Sequence, residues 1–276
     1  MMRSLWTAAS GMRAQQTNVD TIANNLANVN TAGYKTQEAS FKSLLYQNLQ
    51  STSTNNAGEN KPVAAEVGLG TRVSAITSMF KQGNLTSTTN PFSMAIEGDG
   101  FFSVRSADGD VLYTRDGNLN ISPTIQGNML VTSDGYPVLD QMGNNIYLPT
   151  NFAAKDMAVS EQGVIGFPGE DGNVRPLVVD GYEVRLGLYQ FNNPAGLEKT
   201  GSNNFAVTVA SGDPIAETGA ANLTSSKVHQ FYIEASNVDV ANEMVNLIVA
   251  QRAYEMNSKA IQATDEMMGQ ANALRR

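Results

Sequence analysis

Residues 4–29, SLWTAASGMRAQQTNVDTIANNLANV, decide the fold. Apolar side chains recur in this stretch with alternating steps of three and four, at Leu5, Ala8, Met12, Val19, Ile22, Leu26 and Val29, and Gln15 is the only polar occupant of the seam. This is a heptad pattern over about three and a half repeats, the narrow stripe of a helix that packs on another helix. Ser4 stands where an N-cap is needed. Asn28, Asn30 and Gly33 supply a stop, because Asn and Gly tolerate the left-handed conformation that ends helices.

Working outward, the other end of the chain repeats the device. Asp239 is placed to cap, Glu243 falls in the first turn, and Val240, Met244, Leu247, Tyr254, Ile261 and Met268 keep the same alternating step, with Gln251, Ser258 and Asp265 in the remaining seam sites. Terminal helices of about 30 residues would each be ~45 Å long. Neither can hide its stripe alone, so each needs the other or further copies. Met244, Met256, Met267 and Met268 suit such a role, since methionine adapts to irregular contacts.

Between the ends the signal changes to strands and turns. Asp-Gly pairs at 99–100, 108–109, 116–117, 134–135, 171–172 and 180–181 punctuate short β-rich runs such as Phe101–Val104, Asn128–Thr132 and Tyr182–Leu186, which predicts antiparallel hairpins. Val207-Thr208-Val209 and Val228–Glu234 read as two further strands. Gln47 to Lys61 is polar and short of apolar residues, the composition of a linker or of a segment ordered on assembly. The expected organisation is therefore α+β. Residues 1–35 with 236–276 form a coiled-coil-like helical domain, 36–90 an extended connection, and 91–235 a mainly antiparallel β domain.

Composition closes off several classes of function. The chain of 276 residues has a net charge of -8, against a nucleic-acid binder. Residues 1–50 carry +2 and 236–276 carry -1, leaving -9 on the middle region. There is no cysteine, which removes disulfides, Cys-ligated metals and thiol nucleophiles, and the single histidine, His229, sits in an alternating strand-like run. No run approaches the ~20 apolar residues of a membrane span. Gln15, Gln16, Asn18 and Asp20 interrupt what would be the apolar core of a cleaved signal, so none is expected. Asp108–Tyr113 departs from a calcium loop at Leu112 and Leu119, and Gly98-Asp99-Gly100 lacks the third glycine of a phosphate cradle. Glu170-Asp171 and Asp265-Glu266 are adjacent in sequence and point apart in regular structure. No catalytic residue, metal ligand or cofactor site is expected.

Asn24, Asn25 and Asn28 crowd the end of the first helix although Asn is a mediocre helix former. They read either as capping of a frayed end or as side-chain amide bonds to neighbouring chains. The run Ala23–Lys35, the opening Arg3-Ser4-Leu5-Trp6, and the tail Ser236–Val240 through Gln251–Glu255 resemble the signatures of the flagellar rod and hook protein family. Ala95–Phe102 and Tyr113–Gly117 resemble the family's middle motifs in the same order, so the resemblance covers most of the chain.

This resemblance implies a structural subunit that polymerises with itself into a helical drive shaft and encloses an export channel, with no enzymatic activity. Its implied partners are other rod proteins, hook protein and the flagellar export apparatus, with ring proteins where there is an outer membrane. It would reach an extracytoplasmic basal body by flagellar type III export. Hook subunits of the family carry additional outer β domains for which this length leaves little room, and the polar stretch followed by Val67–Thr71, with the run Gln82–Leu85, favours a distal-rod over a proximal-rod member. Leu5, Met12, Val19, Ile22, Leu26, Val29, Val240, Met244, Leu247, Tyr254, Ile261 and Met268 are the expected assembly contacts. Asn24, Asn25, Asn28 and Gly33 are family-motif positions. The alternative of another class is an exported glycan-binding or glycan-cleaving protein, which acidic β domains can support.

Overall fold

The structure, a computed structural model, describes residues 2–50, 65–125, 127–149, 157–168, 174–179, 181–218 and 223–274. The chain forms two compact units. One contains residues 1–27, 37–78 and 239–276, the other 28–36 and 79–238. The stretch read from sequence as a connection is thus shared, 37–78 belonging with the helices and 79–90 with the β unit.

In the helical unit, α1 (Met2–Ala27) packs on α2 (Val240–Ala273). Because α1 is already helical at Met2, Ser4 lies inside its first turn and does not cap it. Asn28 and Val29 lie beyond its end, in a turn. Asp239 caps α2 as the sequence predicts: its backbone is extended and its Oδ1 accepts from the amides of Ala241 and Asn242 at 3.0 and 3.3 Å. A second face of α1 packs on an antiparallel ribbon. Its strands β1 (Gln37–Ser43) and β4 (Thr71–Ser78) pair, and the ribbon continues as β2 (Tyr46–Gln50) with β3 (Ala65–Gly68). Gln47–Gln50 of the expected linker is therefore strand, and 51–61 lies outside the described residues.

The β unit is antiparallel throughout its described strand pairs. It includes β5 (Leu85–Ser87), β6 (Met94–Glu97), β7 (Phe101–Arg105) and β8 (Val111–Thr114). Its largest sheet runs Glu198–Gly201, Asn204–Ala206, β8, β7, Leu188–Gln190, Ile215–Ala216. β7 sits centrally and is buried on both faces. Phe102 and Val104 join an apolar core with Met94, Ile96 and Leu130, while Phe101 joins a second cluster with Tyr113, Phe191 and Phe205. Adjacent phenylalanines on opposite strand faces thereby hold two cores together.

The Asp-Gly pairs divide by role. Asp108-Gly109 turns β7 into β8 and Asp134-Gly135 makes a second tight turn, both glycines having positive φ. Gly181, also at positive φ, joins the paired strands Val178–Val179 and Tyr182–Glu183, while Asp171-Gly172 lies outside the described residues. Asp99-Gly100 and Asp116-Gly117 do not close hairpins. β6 pairs instead with Lys227–Gln230, and Gly117 lies against the Met94 carbonyl where no Cβ would fit.

Two further strand expectations need correction. Val207-Thr208-Val209 is not a strand, because the Thr208 hydroxyl accepts from the amides of Ala210 and Ser211 and bends the chain into a turn. Val228–Glu234 is broken at Phe231, whose φ is 65°: Lys227–Gln230 pairs with β6 and Tyr232–Glu234 with β5.

Candidate assembly interface

The helical unit contains two kinds of helix surface. Where α1 meets α2 small residues stand beside larger apolar ones. Gly11 has no side chain, and a Cβ there would lie 3.0 Å from Asn257 Nδ2 of α2. Gly inside a helix costs about 1 kcal/mol relative to Ala, so close approach of the second helix is what it provides here. On α2 the buried positions are Ala250 and Thr264, and Val240, Glu243, Leu247, Asn257, Ile261 and Met268 are half-buried. These follow a step of three and four, but half of them lie one residue before the seam read from large apolar residues. Thr264 donates its hydroxyl to the Ala260 carbonyl at 2.7 Å, which satisfies it inside the contact.

Several of the larger apolar side chains of α2 are bare. Met244 is 50% exposed, Tyr254 43% and Met256 70%, and Val245, Ile248, Val249 and Met267 are exposed as well. Val245, Val249, Met256 and Met267 recur at helical spacing along one side. Exposed apolar surface of this extent along one helix marks an interaction face. Of the residues expected from the sequence on α1, Ile22 is buried and Leu5, Met12, Val19 and Leu26 are half-buried. Val29 is half-buried within the β unit, apart from the helical seam.

The asparagines separate by environment. Asn25 is buried, its Nδ2 donating to the Gln37 carbonyl at 2.8 Å and its Oδ1 accepting from the Gln37 amide at 2.9 Å. Those two bonds lie within the chain, which corrects the expectation that its amide reaches a neighbour. It acts as a strand partner for the first residue of β1. Asn28 Oδ1 accepts from the Thr31 hydroxyl at 3.1 Å, and Asn24 is exposed. Gly33 has φ +68°, and a Cβ there would lie 2.8 Å from the backbone of Arg115, so its role is conformational.

Sequence reasoning missed a buried charge cluster in the β unit. Lys35 Nζ lies 2.6 Å from Glu234 Oε1, and Arg115 Nη1 lies 3.6 Å from Glu234 Oε2, with all three side chains at most 1% exposed. Burial pushes the Lys35 ammonium and the Arg115 guanidinium below their ordinary values, and Glu234 pulls each back up. The available signal was sparsity, since only 16% of residues are charged and Lys35 and Arg115 both sit inside quoted motif stretches.

A chain whose ends pair as long helices, with large apolar side chains bared along one of them, falls in the class of α+β structural assembly subunits. Comparison with known proteins identifies the particular kind. Residues 5–35 match the family model described as flagella basal body rod protein, 95–167 that of the flagellar hook protein FlgE/F/G D1 domain, and 229–274 that of the flagellar basal body rod FlgEFG protein C-terminal region. The chain is 46% identical to the flagellar basal-body rod protein FlgG of Borreliella burgdorferi, with both chains covered in full. It is 43% identical to FlgG of Agrobacterium fabrum over 96% of this chain and 97% of that one. With FlgG of Bacillus subtilis it shares 34% identity, again over the full length of both chains. The chain belongs to the flagellar basal-body rod protein family, as a FlgG-like structural protein. Among the described residues no helix is long and apolar enough to cross a membrane.

Proposed function

We propose that this protein polymerises through its helical unit into the distal rod of the flagellar basal body, a helical shaft that carries torque from motor to hook and encloses the export channel. Its role is structural, without catalysis. The observation that supports this reading is the bare apolar side of α2, where Val245, Ile248, Val249 and Met256 are exposed among the described residues and would gain burial from another chain. Met244 flanks that side, whereas Tyr254, at about 100° per residue, lies on the opposite side of α2 with Leu247 and Ile261. Leu5, Met12, Ile22, Leu247 and Ile261 shape the helix pair that presents it. Contacts with other rod proteins and hook protein at the shaft's ends, with the export apparatus, and with surrounding ring proteins where an outer membrane is present, complete the proposed set of partners.

The test is sedimentation and electron microscopy of the purified full-length chain across a concentration series, beside an Ile248→Asp variant. Wild-type chain should form filaments above a critical concentration. Burial of a charge in an apolar contact should hold the variant monomeric, with its helical circular dichroism unchanged. A wild-type chain that stays monomeric at every concentration, or a variant that assembles equally well, would sink the proposal.

A further inference from the structure

The post-helix leg of the chain, residues 32–36, is laced to two other segments of the β unit. Gly33 N donates to the Glu234 carbonyl at 2.8 Å, and Met79 N donates to the Thr36 carbonyl at 2.8 Å. The Asn237 side chain spans the gap between them: its Oδ1 accepts from Thr36 N at 2.7 Å, and its Nδ2 donates to the carbonyls of Met79 and Lys81. Glu234 Oε1 accepts from both Lys35 Nζ and Gly83 N. The lacing thus joins residues 32–36, 79–83 and 234–237, segments that are far apart in sequence.

The charges within this lacing are not balanced pairwise. Lys35 and Arg115 bring two cations into one interior and Glu234 is the anion between them. Among the described residues Arg115 Nε and Nη1 and Glu234 Oε2 have no hydrogen-bond partner within 3.5 Å, and the guanidinium lies 4.8 Å over the Phe101 ring. Arg115 is therefore held by charge and stacking more than by directed bonds. Without Glu234, docking the leg would bury Lys35 near Arg115 with no carboxylate between them, a costly arrangement.

We infer that Glu234 is an electrostatic latch: the leg that follows α1 docks on the β unit only after the strand that precedes α2 has returned and placed its carboxylate between Lys35 and Arg115. The latch makes the docking of the chain's outgoing leg conditional on its final segment, so the points from which the two terminal helices depart are fixed together. This inference concerns folding of the single chain and stands apart from polymerisation.

Amide hydrogen exchange on the full-length monomer tests it, below any concentration at which the chain associates. The reporter amides are Gly33, Thr36, Met79 and Gly83, and the reference amides are Ser103 and Leu139, which are bonded within the β unit away from the lacing. In Glu234→Gln the reporters should exchange roughly a hundredfold faster while the references keep wild-type rates. In the double variant Lys35→Met with Glu234→Gln the reporters should return to within about tenfold of wild type, since Arg115 retains the attraction of Asp99 and Glu217. Should Glu234→Gln fail to fold, Lys35→Met alone reads the same latch and should speed Gly33 and Thr36 by about tenfold with the references unchanged. Unchanged reporters in either single variant would overturn the inference. So would acceleration of reporters and references together, or a double variant as open as Glu234→Gln.

Discussion

Replacing Asn25 with alanine tests whether this side chain works within its own chain or between chains. In the structure its amide is buried and bonds both polar backbone groups of Gln37, at 2.8 and 2.9 Å. Two hydrogen bonds of about 1 kcal/mol net each are lost, and leaving the Gln37 N–H and C=O short of partners adds about 1–2 kcal/mol. The helical unit should therefore lose about 3–4 kcal/mol of stability. With a urea dependence of about 2 kcal/mol per molar, the unfolding midpoint should fall by about 1.5–2 M. Both long helices lie in this unit, so the far-ultraviolet helical signal reports on it.

Asn25→Asp separates the contributions further. It keeps an acceptor for the Gln37 amide but sets a carboxylate oxygen against the Gln37 carbonyl, so it should be at least as damaging as alanine. A midpoint unchanged in both variants, with filament formation lost, would refute this reasoning and return Asn25 to an intermolecular role.

Further expectations follow from individual residues. Gly33→Ala should destabilise the β unit by more than about 2 kcal/mol in thermal or urea melts, because positive φ and the Arg115 backbone both oppose a Cβ. Asp239→Ala should cost about 1 kcal/mol in the same melts by uncapping α2. Tyr113 is pushed up to about 12, chiefly by burial and then by Tyr189. Its folded pKa thus exceeds the unfolded value, so the stability it contributes is whole below about pH 10 and is lost as pH rises toward 12. Spectrophotometric titration should show it ionising after the exposed tyrosines; co-titration with them in the folded protein would contradict the buried placement.

Much of the architecture was legible because it rests on periodicity and chain punctuation. The heptads at each end name two helices, Asp239 names a helix start, and Asp108-Gly109 names a hairpin, each through local physics that the rest of the chain does not override. What failed locally was the competition between side chain and backbone. Val207-Thr208-Val209 has strand propensity, but the Thr208 hydroxyl satisfies two amides and a turn results. Phe231 interrupts a β-rich run because the segments on either side of it have different strand partners. The Lys35, Arg115 and Glu234 cluster was illegible for another reason: its members are brought together only by the completed β unit.

On α2 the seam read from sequence coincides with the half-buried side at Val240, Leu247, Ile261 and Met268, while Met244 and Tyr254 are exposed, a difference that bears on function. A search for large apolar residues finds the side of a helix with the most area to bury, which selects Met244 and Tyr254. Packing within one chain instead selected positions where the helices approach closely, Gly11 and Ala250 among them. If pairing α1 with α2 were the only demand on these helices, every large apolar side chain of α2 would lie with Leu247, Ile261 and Met268 on the side toward α1. Instead Val245, Ile248, Val249 and Met256 are exposed among the described residues, at a cost in solubility that a second chain would relieve. One helix thus carries two interfaces, a close-packed one for its own chain and an apolar one for its neighbours. Met256→Ser should consequently weaken filament formation while leaving the unfolding free energy of the monomer, from urea melts, within about 0.5 kcal/mol of wild type, as for a surface substitution. Loss of monomer stability on the scale of a core truncation would mean that the apolar side is occupied within the single chain.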